Sequence, residues 1–264
     1  MTIQNTYAMN QKNLDYLKES LQYTGFGARL HQELEQYVQQ QVPAFQLKTE
    51  LPFYQSAVSY ALHFRKSDQS DMYFFNKYDA TLKSEKNGEE RSQTFYMNQN
   101  SGITAREAYN LLSGRAVQKE LVNAVGQPYR AWLQLDPEQK NEAGNQKLRQ
   151  FHENYGFDLE RVLQAYRIRE LQDPQQKEQL LRSLQKGNVQ QVTVLEDGKE
   201  AKRFVEASPQ FKTINAYDEK LRPIKRETLL RPELQQERAP GHEQGQKLKE
   251  QAEARQSRRK GLSL

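Results

Sequence analysis

From Asn13 to Gln22 the leucines Leu14, Leu17 and Leu21 recur at three- and four-residue spacing, which predicts a short amphipathic helix. Thr24-Gly25-Phe26-Gly27 interrupts that pattern, and Leu30, Leu34 and Val38 resume it to about Gln41, so two helices joined by a tight turn are expected. Pro43 ends the helical stretch. Apolar residues then alternate with polar or small ones in Phe45-Gln46-Leu47 and from Ser59 to Phe64, the period of half-buried strands. Lys66-Ser67-Asp68-Gln69-Ser70 reads as a turn and Met72 to Leu82 as a further strand. Asn87-Gly88 reads as a hairpin turn and Gln93 to Met97 as its return strand.

One grammar then occurs twice. Thr104 and Glu107 form a capping box ahead of Ala108, Leu111 and Leu112, Gly114 ends that helix, and Ala116 to Val122 and Tyr129 to Leu135 read as a hairpin turned at Gly126, with Trp132 in its second strand. Asp173 and Pro174 open the second copy as N-cap and first helical residue. Leu180, Leu181 and Leu184 supply its apolar face, and Gly187 its end. Val189 to Leu195 and Phe204 to Ala207 follow as strands around Asp197-Gly198, and Phe211 to Tyr217 as a third. Arg29 to Phe64 offers a looser version without the glycine. The expected class is α+β, with repeated helix-plus-antiparallel-hairpin units rather than a doubly wound parallel sheet. The expected divisions are an N-terminal helical segment at 1–42, a first α+β unit or units at 43–157, a second at 158–224, and a disordered basic tail at 225–264.

Composition changes that picture mainly at the C-terminus. Beyond Tyr217 the apolar pattern fades into Gln, Glu, Lys, Arg, Pro and Gly, a composition that cannot bury enough apolar surface to fold. Lys225 to Leu264 holds ten Lys/Arg and six Asp/Glu, which accounts for +4 of the net +5, so the body is nearly neutral and needs no anionic partner to explain the basic character of the chain. The 14 Tyr and 11 Phe supply large buried surfaces from few positions. With no cysteine, disulfides, thiolate metal sites and cysteine nucleophiles are excluded, in keeping with a reducing compartment. No apolar run approaches the roughly 20 residues of a membrane span, and Met1 to Asn13 lacks the apolar core of a signal peptide, so a cytoplasmic protein without membrane contact is expected.

Six runs carry a resemblance: Leu14-Asp15-Tyr16-Leu17-Lys18, Thr24-Gly25-Phe26-Gly27, Ser70-Asp71-Met72-Tyr73-Phe74-Phe75-Asn76, Glu107-Ala108-Tyr109-Asn110-Leu111-Leu112, Phe151-His152-Glu153-Asn154-Tyr155-Gly156 and Pro209-Gln210-Phe211-Lys212-Thr213-Ile214-Asn215. Together they span nearly the whole body and resemble an uncharacterised bacterial family associated with conjugative transposons and related mobile elements, whose variable basic tails also end in Arg/Lys clusters. The resemblance implies a context rather than a reaction, and it brings no catalytic or binding residues with it.

The chemical motifs are sparse. His152-Glu153 has the start of a zinc-protease helix, but Gly156 stands where the second histidine would be, and His31, His63 and His242 are scattered, so no metal ligand set is assigned. His152 reads instead as a loop residue whose neighbours Phe151 and Tyr155 pack into the core. Gly25-Phe26-Gly27 follows a helix and lacks the third glycine of a dinucleotide fingerprint, so it reads as a connector and no cofactor is expected. Ser67, Asp68, Ser70 and Asp71 lack the glycine and glutamate of a calcium loop and read as a solvated turn. Catalytic residues are accordingly none.

Nucleic-acid contacts have two candidate locations. Arg255, Arg258, Arg259 and Lys260 in the tail can meet phosphates without folded geometry. Arg65, Lys66, Tyr73 and Lys77 form a second, weaker set, in which an aromatic strand stacks on bases beside phosphate-binding charges. The leading expectation is a non-catalytic module that binds another protein or acts as a scaffold within a mobile genetic element. A nucleic-acid-binding accessory that holds DNA or RNA through the tail is the alternative, and an enzyme without a recognisable motif is the third.

Overall fold

The computed structural model of the protein describes residues 10–54, 56–83, 90–97, 102–196 and 199–234. Helix α1 (Gln11–Tyr23) starts where the Asn10 side chain accepts the Asn13 amide, and it buries Leu14, Leu17 and Leu21 on one face. After one 3-10 turn, α2 (His31–Gln39) buries Leu34 and Val38. Both lie against a meander of β1 (Ala44–Phe53), β2 (Ser56–Lys66), β3 (Tyr73–Lys83) and β4 (Glu90–Tyr96), paired antiparallel in that order. Helix α3 (Ala105–Leu112), opened by the Thr104–Glu107 capping box, shares the same core.

The middle sheet is β5 (Val117–Val122), β6 (Pro128–Lys140) and β7 (Gln146–His152). Side chains alternate across β6, so Leu133 and Leu135 join the core of the first sheet, while Trp132 joins a second core. That second core is completed by α4 (Leu159–Gln164), α5 (Pro174–Gln185) and a sheet of β8 (Gln190–Glu196), β9 (Lys199–Ser208), β10 (Thr213–Tyr217) and β11 (Pro223–Ile224), ordered β11-β10-β9-β8. Among the described residues every strand pairing is antiparallel and the helices flank the sheets, which is the expected α+β architecture. Among the described residues, no helix is long and apolar enough to cross a membrane.

Four side-chain contacts explain why the elements stay in register. Asn13, 5% exposed, donates from Nδ2 to the Tyr73 carbonyl at 3.0 Å and accepts the Tyr73 amide at 2.7 Å, so its side chain stands in for a neighbouring strand. Gln93 does the same for Gln146, with 3.1 and 2.9 Å bonds that tie the edge of β4 to the β6–β7 hairpin. Tyr60 and Tyr78 donate to the carbonyls of Ala105 and Ile103 at the start of α3, and burial raises both hydroxyls above the ordinary tyrosine range.

At the junction of the halves, the glycine that ends α5 packs against the residues that flank the glycine ending α3: Gly187 lies against Asn110, Ala116 and Val117. Gly114 and Gly187 both have positive φ, +83° and +77°. Asn110 Nδ2 donates to the Lys186 carbonyl at 2.6 Å, while Arg115 donates to the Gly187 carbonyl at 3.0 Å and to Asn110 Oδ1 at 2.7 Å.

Several expectations are corrected. The tail does not begin at Lys225, because a 3-10 turn at Arg226–Leu229 buries Leu229 and Leu230 in the second core, where Leu230 bridges to Tyr166. α1 and α2 of the 1–42 segment pack into the first core, while Ala116, Trp132 and Phe151 of the 43–157 span belong to the second. His152 ends β7 rather than sitting in a loop, and Tyr155 is partly exposed, with Lys212 Nζ over its ring. The third strand after α5 begins at Thr213, because Pro209–Phe211 forms a 3-10 turn that leaves Phe211 outside. Asn87-Gly88, Asp197-Gly198 and the 235–264 part of the tail lie outside the described residues.

Candidate interaction surface

α1, α2 and α3 pack on one face of the first sheet, while the other face carries the exposed Gln46, Lys48, Arg65, Phe74 and Asn76 and the half-buried His63. Strict alternation would turn one of Phe75 and Tyr78 outward, since they are three residues apart. A register shift at His63/Phe64, with Asn76 as the extra residue on β3, keeps both rings inside. It also places Asn76 and Lys77 together on the open face, next to Arg65.

Two continuous depressions result. One of ≈ 280 Å³ is lined by Arg65, Lys66, Asp68, Gln69, Phe74 and Asn76. The other, ≈ 330 Å³, runs on over Ala44, Gln46, His63, Arg65, Asn76 and Lys77. Phe74 is 46% exposed at the rim, and Tyr96, 60% exposed, stands opposite Lys77 on β4.

A chain of polar side chains crosses all four strands beside this groove. Gln46 Nε2 donates to His63 Nδ1 at 3.3 Å, His63 Nε2 lies 2.6 Å from Asp79 Oδ2, and Thr94 Oγ1 donates to Asp79 Oδ1 at 2.7 Å. This pattern fits a His63 ring that carries its proton on Nε2. Burial alone would raise the Asp79 carboxyl. Hydrogen bonds from Thr94 and His63, with the charge of Lys77, outweigh that effect and hold it below the ordinary carboxylate range.

A depressed carboxyl pKa means that the folded state binds fewer protons than the unfolded chain. The stabilisation is complete above the unfolded value of about 4 and is lost as pH falls through the folded one. Asp79→Asn is therefore expected to lower the urea midpoint at pH 7, with the gap to the wild type closing below about pH 4. A gap independent of pH would contradict this role.

The structure brings three of the four weaker nucleic-acid candidates together: Arg65, Lys66 and Lys77 share the groove. Two of these charges already have partners, Asp68 for Arg65 at 3.0 Å and Asp71 for Lys66 at 3.3 Å. The fourth candidate is corrected. Tyr73 is 1% exposed and its ring packs near Phe45, so it cannot stack on a base. Phe74 and Tyr96 are exposed rings beside this groove, Phe74 on the strand that carries Lys77 and Tyr96 opposite Lys77 on β4. Arg255, Arg258, Arg259 and Lys260 lie outside the described residues. Among the described residues, no three His, Asp or Glu side chains gather as a metal site. Compared with known proteins, the chain matches no protein-family model, no curated protein and no solved structure.

Proposed function

We propose that the chain is a non-catalytic protein-binding or scaffold module of a mobile genetic element, working in the cytoplasm, and that the open face of its first sheet holds the partner. The observation that carries this reading is the grouping of Phe74, Tyr96, Arg65 and Lys77 on one exposed sheet face. Aromatic rings and arginine dominate the binding energy of protein interfaces, and a sheet backed by a packed core presents them at little entropic cost. The mobile-element setting rests on the resemblance of the six sequence runs. The helix-plus-hairpin units are related to one another. That relation is supported by the shared order of helix, positive-φ glycine and antiparallel hairpin in α3–β6 and α5–β9.

A second reading is favoured by one observation, the convergence of Arg65, Lys66 and Lys77 in a groove beside an exposed ring, which suits a nucleic-acid accessory assisted by the tail. One experiment separates the two. The wild type and a Phe74→Ala/Tyr96→Ala variant are immobilised and exposed to lysate, and both are titrated with labelled duplex and single-stranded DNA across a salt series. A protein retained by the wild type and lost by the variant supports the first reading. Salt-sensitive DNA binding that disappears when the chain is cut after Leu234 supports the second.

A further inference from the structure

β1 is the uncovered edge of the first sheet: β2 pairs with one side, and among the described residues Arg29 reaches the other, donating from Nη1 to the Glu50 carbonyl at 3.2 Å. That contact fixes the orientation of the strand. In an antiparallel ladder a residue's N–H and C=O point to the same side, so the even-numbered residues Gln46, Lys48, Glu50 and Pro52 direct their backbone groups outward. Pro52, which has no N–H, sits at one of these outward positions, where the β2 ladder loses nothing.

The order of residues along this edge is symmetric about Thr49. Reading outward in both directions, Lys48 mirrors Glu50, Leu47 mirrors Leu51, Gln46 mirrors Pro52 and Phe45 mirrors Phe53. The four apolar residues are buried on the inner face and the other four are exposed. We infer that β1 pairs antiparallel with β1 of a second copy of this chain, with the twofold axis at Thr49, joining two four-stranded sheets into one.

In that register each Lys48 stands directly opposite Glu50 of the other copy, and their outward N–H and C=O groups exchange both ladder bonds. Each Gln46–Pro52 pairing supplies one bond, from the Gln46 amide. Sliding the pairing so that the axis falls on Lys48 puts lysine opposite lysine, and an axis on Glu50 puts glutamate opposite glutamate. Like charges directly opposite are unfavourable, so charge selects the Thr49-centred register from its neighbours of the same parity. The Glu50 carbonyl can accept from both Arg29 and the incoming amide through its two lone pairs.

Because the chain has no cysteine, Thr49→Cys introduces a single thiol. Thr49 would face its own copy in a non-hydrogen-bonded pair, with Cα atoms about 4.5 Å apart, within disulfide reach. The full-length Thr49→Cys protein should therefore form a covalent dimer on mild oxidation. Lys48→Cys, whose two copies lie beyond about 7 Å in this register, should not. Sedimentation of the cysteine-free protein provides a second reading: Lys48→Glu should weaken the dimer about 30-fold, and Lys48→Glu/Glu50→Lys should restore it. Far-ultraviolet circular dichroism confirms that each variant is folded. A wild type that sediments as a monomer at all concentrations, a Lys48→Cys protein that cross-links as readily as Thr49→Cys, or a charge swap that does not restore the dimer would overturn the inference.

Discussion

Replacing Phe26 with alanine is expected to destabilise the protein by about 4 kcal/mol, enough to lower its melting temperature by roughly 8–16 °C for a body of this size. The ring is fully buried and meets Tyr60, Phe75 and Tyr78 edge-on, at centroid distances of 5.2, 6.2 and 5.2 Å. It links the connector between α1 and α2 to the inner face of the sheet. The site cannot collapse readily into the vacated space, because Gly25 and Gly27 hold the flanking backbone at φ of +86° and +77° and the Phe26 amide donates to the Leu21 carbonyl. Phe211→Ala is the matched control. That ring is 69% exposed, and its loss should change stability by under about 0.5 kcal/mol. Thermal unfolding followed by circular dichroism compares the two, and equal shifts would contradict this packing.

Gly187→Ala is expected to cost about 3 kcal/mol, against about 1 kcal/mol for Gly114→Ala. Both glycines have a φ that L residues rarely adopt. A Cβ on Gly187 would also lie 2.7 Å from the Ala116 carbonyl oxygen and 3.0 Å from Val117 Cγ2, whereas one on Gly114 would meet nothing within 4 Å. The first penalty combines backbone strain with displacement of β5 at the junction of the two cores, and the second is strain alone. Denaturant unfolding of the pair isolates the contact, and identical losses would show that the halves do not press together there.

Local structure was legible where one principle acted alone. The Thr104–Glu107 capping box, the Asp173 N-cap, the leucine spacing of α1 and the turn at Gly126 all follow from short-range rules, and each is present. α4 and β7 were missed because each is short and carries few buried residues, Leu159 and Leu163 in the helix and Phe151 in the strand, so their order comes from packing rather than periodicity. Composition places the start of the tail too early for a related reason. Leu229 and Leu230 are two apolar residues in a polar stretch, and only the distant core formed by α4 and β8 makes their burial worthwhile.

The candidate surface was half legible. Arg65, Lys66 and Lys77 were singled out by charge, but choosing the ring required knowing which face is covered, and the register shift at Asn76 changes that assignment between Phe75 and Tyr78. No sequence rule places such a bulge. It arises because two large apolar rings three residues apart both gain from the interior. Tyr96 became a candidate only through its position opposite Lys77.

The most direct measurement is site-specific photo-cross-linking in cells, with a photoreactive phenylalanine analogue placed in turn at Phe74, at Tyr96 and at Tyr23, which is 87% exposed on α1. If the open sheet face holds a protein partner, the same cross-linked species forms from positions 74 and 96 and is absent from position 23. Adducts from position 23 alone, or none from 74 and 96, would contradict the assignment of this face.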